Sequence, residues 1–263
     1  MSGAFCFLSA CNVDILGLFY SSDLDERLAE RDNFRFLTEA QRSLSLGNNY
    51  SFIVLTDTHI EDGNAFGLEG LKDVIAGNSQ IKFVVVLGDI TQYGSRTDMF
   101  KFIDVSRSFA VPCYPVIGNH DVYFNNWPVW KDHIGSTRYK INGDGTTLFI
   151  LDSANAFFGM EQLNWLQREI KNTSGRVFVF THSNLFVNDP TDIQQLSDMN
   201  ERARIMSILK NKCDIMFMGH SHERRENEAG NVKYVNIEGF RDTKGYCLVS
   251  VTSAGVSYSF KKL

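Results

Sequence analysis

Five short polar blocks run along this chain in a repeated setting: Asp57-Thr58-His59, Gly88-Asp89, Gly118-Asn119-His120-Asp121, Thr181-His182 and Gly219-His220-Ser221-His222. Four of them stand behind a short apolar run of β-branched or aromatic residues, at 51–56, 82–87, 178–181 and 215–218. Such runs read as buried strands, and a polar residue at the end of a buried strand lies on a loop at the sheet edge. Four strand-then-polar junctions limit what this chain can fold into, because the ends of separate strands must meet if their side chains are to act together.

The blocks use five of the six histidines, together with carboxylates and an amide. That is an inventory for two metal ions, since a dinuclear site needs about eight oxygen and nitrogen contacts with one carboxylate shared between ions roughly 3.5–4 Å apart. Asp57, His59, Asp89, Asn119, His182, His220 and His222 suffice if Asp89 bridges. A neutral Asn in the set keeps the summed negative charge low and leaves the ions strong Lewis acids. His120 is then left over, and with Asp121 next to it to orient the ring it has the makings of a general acid. Gly88, Gly118 and Gly219 each precede a ligand, where a missing side chain lets the backbone turn sharply. Taken alone, Asp57 or Asp89 reads as a turn residue, and His133, in a polar stretch with no partner motif, reads as an ordinary histidine.

Together the blocks resemble the signature of the calcineurin-like metallophosphoesterases, D-x-H, G-D, G-N-H-D, a lone His and G-H-x-H, from about residue 51 to the C-terminus. The resemblance implies a four-layer α/β/β/α sandwich of two mixed β-sheets flanked by helices. It implies one metal on Asp57, His59, Asp89 and His222 and a second on Asp89, Asn119, His182 and His220. It implies that His120 protonates the leaving group with Asp121 as its partner, and that the ions are divalent or trivalent Mn, Fe or Zn. Gly88-Asp-Ile-Thr-Gln-Tyr-Gly94, Leu151-Asp-Ser153 and the stretch 161–166 are similar to the class III cyclic-nucleotide phosphodiesterase branch, which favours a phosphodiester. That branch usually carries H-H-P-P around the lone histidine, whereas this chain has Thr181-His-Ser-Asn184. A phosphomonoester substrate stays open, as does a catalytically idle metal-binding surface module. Gln92 stands where purple acid phosphatases place a tyrosine, so no tyrosinate-to-iron colour is expected.

Composition fits one large catalytic unit. The chain has 263 residues, 43% of them hydrophobic, enough for a substantial core, and only four prolines to mark a linker. A net charge of −5 argues against a broad grip on extended nucleic acid and leaves a small phosphorylated substrate as the partner. Helical periodicity covers 68–76, 97–109, 160–171 and 201–210, and strands with turns at Gly230-Asn231 and Ala254-Gly255 follow at 232–237, 246–251 and 256–260. Trp127, Pro128 and Trp130 read either as an aromatic wall for a nucleobase or as core packing. Arg224 and Arg225 read as phosphate contacts or as a solvated strand edge.

A division at residue 48 separates an N-terminal extension (1–48) from the catalytic domain (49–263). Within the extension, Ser22 and Asp25 read as the start of a short capped helix that braces the domain through solvated charges. Leu8-Ser9-Ala10-Cys11 resembles a bacterial lipobox, which would anchor the chain to a membrane through a lipid on Cys11, but the ten residues before it hold no Lys or Arg. Two localisations therefore stay open, a cell-envelope lipoprotein and a cytoplasmic protein. Cys113, Cys213 and Cys247 lie in or beside apolar segments and read as buried free thiols.

Overall fold

The computed structural model describes residues 22–186, 196 and 198–263. The lipobox reading at Cys11 lies outside the described residues. Among the described residues the strands are β1 (Ser43–Leu44), β2 (Tyr50–Leu55), β3 (Ile81–Leu87), β4 (Cys113–Val116), β5 (Tyr139–Gly143) and β6 (Thr146–Ile150). They continue with β7 (Arg176–Phe180), β8 (Ile215–Met218), β9 (Arg225–Ala229), β10 (Val232–Asn236), β11 (Gly245–Thr252) and β12 (Gly255–Lys262).

Two mixed sheets result. The smaller has the order β12-β11-β2-β3-β4 and the larger β1-β5-β6-β7-β8-β10-β9. In the small sheet β2, β3 and β4 are parallel neighbours, and in the large one β6, β7 and β8 are. Parallel neighbours need a crossover, usually a helix. Helices Leu71–Ala76, Arg96–Arg107, Met160–Lys171 and Met199–Leu209 fill those places. Each falls within a few residues of the span expected from periodicity, with 68–70 drawn tighter into a 3₁₀ turn.

Alternation along the large sheet separates its two faces. Phe178, Phe180, Ile215 and Phe217 point into the core shared with the small sheet. Val177, Val179, Met216 and Met218 face Leu163, Leu166, Ile205 and Leu209 of the outer helices. This is the period of two that puts successive strand side chains on opposite faces. The arrangement is the expected four-layer sandwich.

Two turns deserve comparison with their expected positions. Gly230 and Asn231, both with φ near 60°, make the two-residue loop between β9 and β10, as a type I′ hairpin requires. The β11–β12 loop falls instead on Ser253-Ala254, because Thr252 pairs with Gly255.

The stretch before residue 49 is tied in at several points. Helix Leu24–Ala29 is capped by Asp23, whose carboxylate accepts from the Asp25 amide, and not by Ser22. Nor is it a solvated brace: Leu24, Arg27 and Leu28 are buried. Arg27 donates from Nε and Nη2 to the two oxygens of Asp152 at 2.7 and 2.8 Å, from Nη1 to Ser22, and from Nη2 to Asn155. Further along, Phe34 bridges Gly135 and β1 pairs with β5. Cys113, Cys213 and Cys247 are buried and free, and burial pushes all three thiols up, which keeps them inert. No helix among the described residues is long and apolar enough to cross a membrane.

Breaking a buried ion pair by removing one partner leaves an uncompensated charge, at a cost of about 3–5 kcal/mol. Arg27→Ala is therefore expected to lower unfolding free energy by that amount in urea denaturation; a change below about 1 kcal/mol would show that the pair is dispensable.

Candidate metal centre

The five blocks meet at one place. Asp57 and His59 follow β2, Asp89 follows β3, Asn119 and His120 follow β4, His182 follows β7, and His220 and His222 follow β8. All these strands run parallel to a neighbour within their own sheet, so their C-terminal ends lie on common edges, and the centre draws three of its loops from the small sheet and two from the large one.

Backbone geometry shows how tightly the loops are drawn in. Asp57, His59, Asp89, His220 and His222 all have positive φ, between 42° and 70°. Non-glycine residues take that conformation at a cost and cluster at functional sites when they do. Close approach also explains two glycines. A Cβ on Gly118 would lie 2.2 Å from Asp89 Oδ1, and one on Gly219 would lie 2.0 Å from Thr56 Oγ1.

Three groups of side chains place ligand atoms within 4.8 Å of one another: Asp57 with His59 and His222, His59 with Asp89 and His120, and Asp89 with His182 and His220. Asp89 joins two of them. Its Oδ1 accepts from the His120 amide at 2.9 Å, while Oδ2 lies 3.2 Å from His182 Nε2 and 3.9 Å from both His59 Nε2 and His120 Nε2. One oxygen is thus held by the backbone and the other faces histidines on both sides.

The donors fit metal ions better than they fit each other. His182 Nδ1 lies 2.7 Å from the Leu87 carbonyl, so Nδ1 carries the proton and Nε2 turns inward toward Asn119 Oδ1 at 3.0 Å and His220 Nδ1 at 3.2 Å. On the other side, His59 Nε2 faces His222 Nε2 at 3.2 Å. Asp57 Oδ1 is buried, receives no hydrogen bond and faces His222 Nε2 at 3.3 Å and His59 Nε2 at 3.7 Å. Inward-facing nitrogens and oxygens gathered this way form a pocket for cations once the histidines give up their protons, and imidazole, carboxylate and amide oxygen are donors suited to Mn, Fe or Zn.

Electrostatics say the same. Burial would raise Asp57 and Asp89, but His222 beside the first and His182 and His120 beside the second outweigh it and hold both carboxyls low. Burial would lower His182, yet Asp89 drives it up to about 9. Asp57, against burial, drives His222 up to about 9. Burial, aided by His120, takes His59 down to about 3 against the pull of Asp89.

Residues outside the seven candidate ligands complete the site. Tyr123 accepts from Asn119 Nδ2 at 2.8 Å, which turns the amide oxygen toward His182. Its position four residues after the asparagine was a usable signal. Thr56 Oγ1 donates to Asp57 Oδ2 at 2.7 Å. The expected pairing of His120 with Asp121 is corrected: His120 Nδ1 donates to the Gln92 carbonyl at 2.8 Å. Asp121 accepts from the amides of Ile90, Thr91 and Gly118 and from Thr91 Oγ1. The backbone at His120–Val122 makes a 3₁₀ turn that ends where Tyr123 and Phe124 leave helical geometry; it sends successive side chains about 120° apart, so Asp121 ties together the loops that carry Asp89 and Asn119. Burial and the Asp89 charge push its carboxyl up to about 7. His133 meets Phe100 edge-on at 4.7 Å and stands apart from the three groups. Arg224 pairs with Glu226 and lies over Phe260, and Arg225 pairs with Glu223, as a solvated strand edge.

The family model described as calcineurin-like phosphoesterase matches residues 50–224. A probable cyclic nucleotide phosphodiesterase of Fibrobacter succinogenes is 31% identical over 166 residues, 60% of this chain and 61% of that one. The 3′,5′-cyclic adenosine monophosphate phosphodiesterase CpdA of Haemophilus influenzae is 23% identical over 171 residues, with the same coverage of 60% and 61%. The match thus spans about 61% of the length of these two relatives. Among solved structures, a dimetal phosphatase from Danio rerio aligns with TM-score 0.67 at 13% identity, over 81% of this chain and 96% of that one. A purple acid phosphatase from yellow lupin gives 0.66 at 12%, over 81% and 51%. At such identities these two likenesses establish the fold.

With His182 and His222 near 9 in the absence of a cation, both are protonated at pH 7 and must lose those protons before their lone pairs can bind. Metal binding at pH 7 is expected to release about two protons and to tighten as pH rises toward about 9. Calorimetry in buffers of different ionisation enthalpy measures this directly, and binding with no proton release would contradict it.

Proposed function

The chain belongs to the calcineurin-like phosphoesterase family, and from that premise we propose that it is a metal-dependent hydrolase of phosphate esters with a phosphodiester as substrate. The observation that carries the reading is the Asp89 carboxylate, facing histidines on both sides with His120 beside it. Support for a diester comes from the relatives named as cyclic nucleotide phosphodiesterases, and from Gly88-Asp-Ile-Thr-Gln-Tyr-Gly94.

In this reading Asp57, His59 and His222 hold one ion, Asn119, His182 and His220 hold the other, and Asp89 is shared. When bound, two such ions polarise the phosphoryl oxygens and acidify a water. The chain's own residues supply the rest. Gln92 occupies His120 Nδ1, so the transferable proton of this ring is the one on Nε2, on the side of Asp89. From there it passes to the oxygen that leaves phosphorus, which matters most when that oxygen belongs to a basic alkoxide. Asp121 acts at one remove, by holding the 90–91 loop and Gly118 in place.

The direct test is Mn²⁺-dependent hydrolysis of bis-p-nitrophenyl phosphate beside p-nitrophenyl phosphate, with metal-stripped protein and Asn119→Ala as controls. Faster turnover of the diester, lost in both controls, is expected; a preference for the monoester would replace the diester reading with a phosphatase. A second expectation concerns His120→Ala. It should keep its metal content and lose about 10²–10⁴-fold on an alkyl diester, but much less on the activated aryl diester. Equal losses on both would remove the acid role.

A further inference from the structure

Of the two readings of Trp127 and Trp130, core packing is the one the structure bears out, and neither ring is on the surface. Both rings are buried, and Trp130 Nε1 donates to the Gly135 carbonyl at 3.0 Å. Two other rings beside the site do reach solvent. Tyr93 is 36% exposed and Phe124 is 39% exposed, and their centroids lie 5.9 Å apart. Phe124 meets Tyr123 at 6.3 Å, and Tyr123 meets His120 at 4.5 Å. An unbroken series of rings therefore runs from the proposed proton donor to the surface.

These rings are held out, not left over. Phe124 and Asn125 both have positive φ, 54° and 59°, an outlier for a bulky aromatic that persists only where the surroundings impose it. The surroundings are on view. Asn126 Nδ2 donates to the Tyr93 carbonyl at 2.9 Å. Gly94, at φ +67°, comes so near the next loop that a Cβ there would lie 2.7 Å from the Asp121 carbonyl oxygen. The loop that carries Tyr93 also carries Asp89 and Gln92, and the loop that carries Phe124 also carries Asn119 and His120. Locking the two loops together therefore fixes the rings relative to the site. Among the described residues seven large apolar side chains are exposed, and Tyr93 and Phe124 are the two of these in ring contact with each other. Single exposed apolar residues are ordinary, whereas a paired, rigidly held set that continues a binding site is the form an aromatic recognition surface takes.

We infer that Tyr93 and Phe124 form the subsite for the organic group beside the leaving oxygen, and that the group it takes is flat and aromatic, of nucleobase type. The inference rests on the phosphoesterase reading of the metal centre. Its chemistry is stacking, which every base can offer through its π face and which typically carries a tenfold or larger share of affinity per base. Stacking separates substrates with a base from those without one and, being common to every base, does not sort one base from another.

The test is equilibrium binding to Mn²⁺-loaded protein of two probes that share the phosphoryl group, adenosine 5′-monophosphate and methyl phosphate. The wild type is expected to bind the nucleotide at least about tenfold more tightly. The double variant Tyr93→Ala/Phe124→Ala should lose that advantage and keep its affinity for methyl phosphate, while Phe124→Trp should retain the advantage. Equal affinities in the wild type, a preference that survives the double variant, or a parallel loss for both probes would each overturn the subsite. Preferential nucleotide binding without hydrolysis of any ester would remove the enzymatic reading and leave the subsite standing; hydrolysis without nucleotide preference would do the reverse.

Discussion

Phe52 is the contact on which the arrangement of this molecule depends. On β2 of the small sheet it stacks on Phe83 at 4.5 Å and meets Phe178, Phe180 and Phe217 of the large sheet at 5.0, 6.2 and 6.2 Å. All five rings are fully buried. Rings of this size dominate core energetics and prefer defined offset or edge geometries, so the cluster sets how the sheets face one another. The consequence for chemistry is direct. Asp57 lies five residues beyond Phe52, His182 two beyond Phe180 and His220 three beyond Phe217. Side chains that belong to two separate sheets meet at one centre because the aromatic core beneath them brings the ends of those strands together.

The centre itself works against folding. It gathers carboxylates and imidazoles that are, His222 apart, almost wholly buried, and five of its residues are in left-handed backbone. Such strain persists only when the rest of the fold over-determines it. Backbone hydrogen bonds do much of that work: His182 is tied to Leu87, His120 to Gln92, and Asp121 to three amides from two loops. Without a cation, raised histidines balance lowered carboxylates. A cation changes that balance by taking the place of the protons, which couples metal occupancy to both pH and stability.

Much of this was legible in the amino-acid sequence because it depends on local pattern. Strand-then-polar junctions need only a short apolar run and a polar residue after it, and the strands β2, β3, β7 and β8 stand where that pattern puts them. What resisted reading depends on distance or on turn geometry. Asp121 is next to His120 in sequence, and adjacency suggests a pair that the 3₁₀ turn rules out. Arg27 finds Asp152 across 125 residues, so a helix whose charges look solvated has a buried arginine at its centre. Trp127 and Trp130 have the same aromatic character as Tyr93 and Phe124, and nothing local says which pair faces solvent. Tyr123, whose phenol orients Asn119, did leave a trace in its spacing, but one tyrosine in a run of aromatics carries little weight until the turn that places it is seen.

An Asp89 carboxylate that serves two metal positions at once couples the ions it holds, and electron paramagnetic resonance of the Mn²⁺-loaded chain reads that coupling. Two equivalents of Mn²⁺ that give a spin-coupled pair signal, replaced by uncoupled Mn²⁺ in Asp89→Ala, are the expected result. A single equivalent, or two uncoupled ions in the wild type, would contradict a shared carboxylate and with it the dinuclear centre.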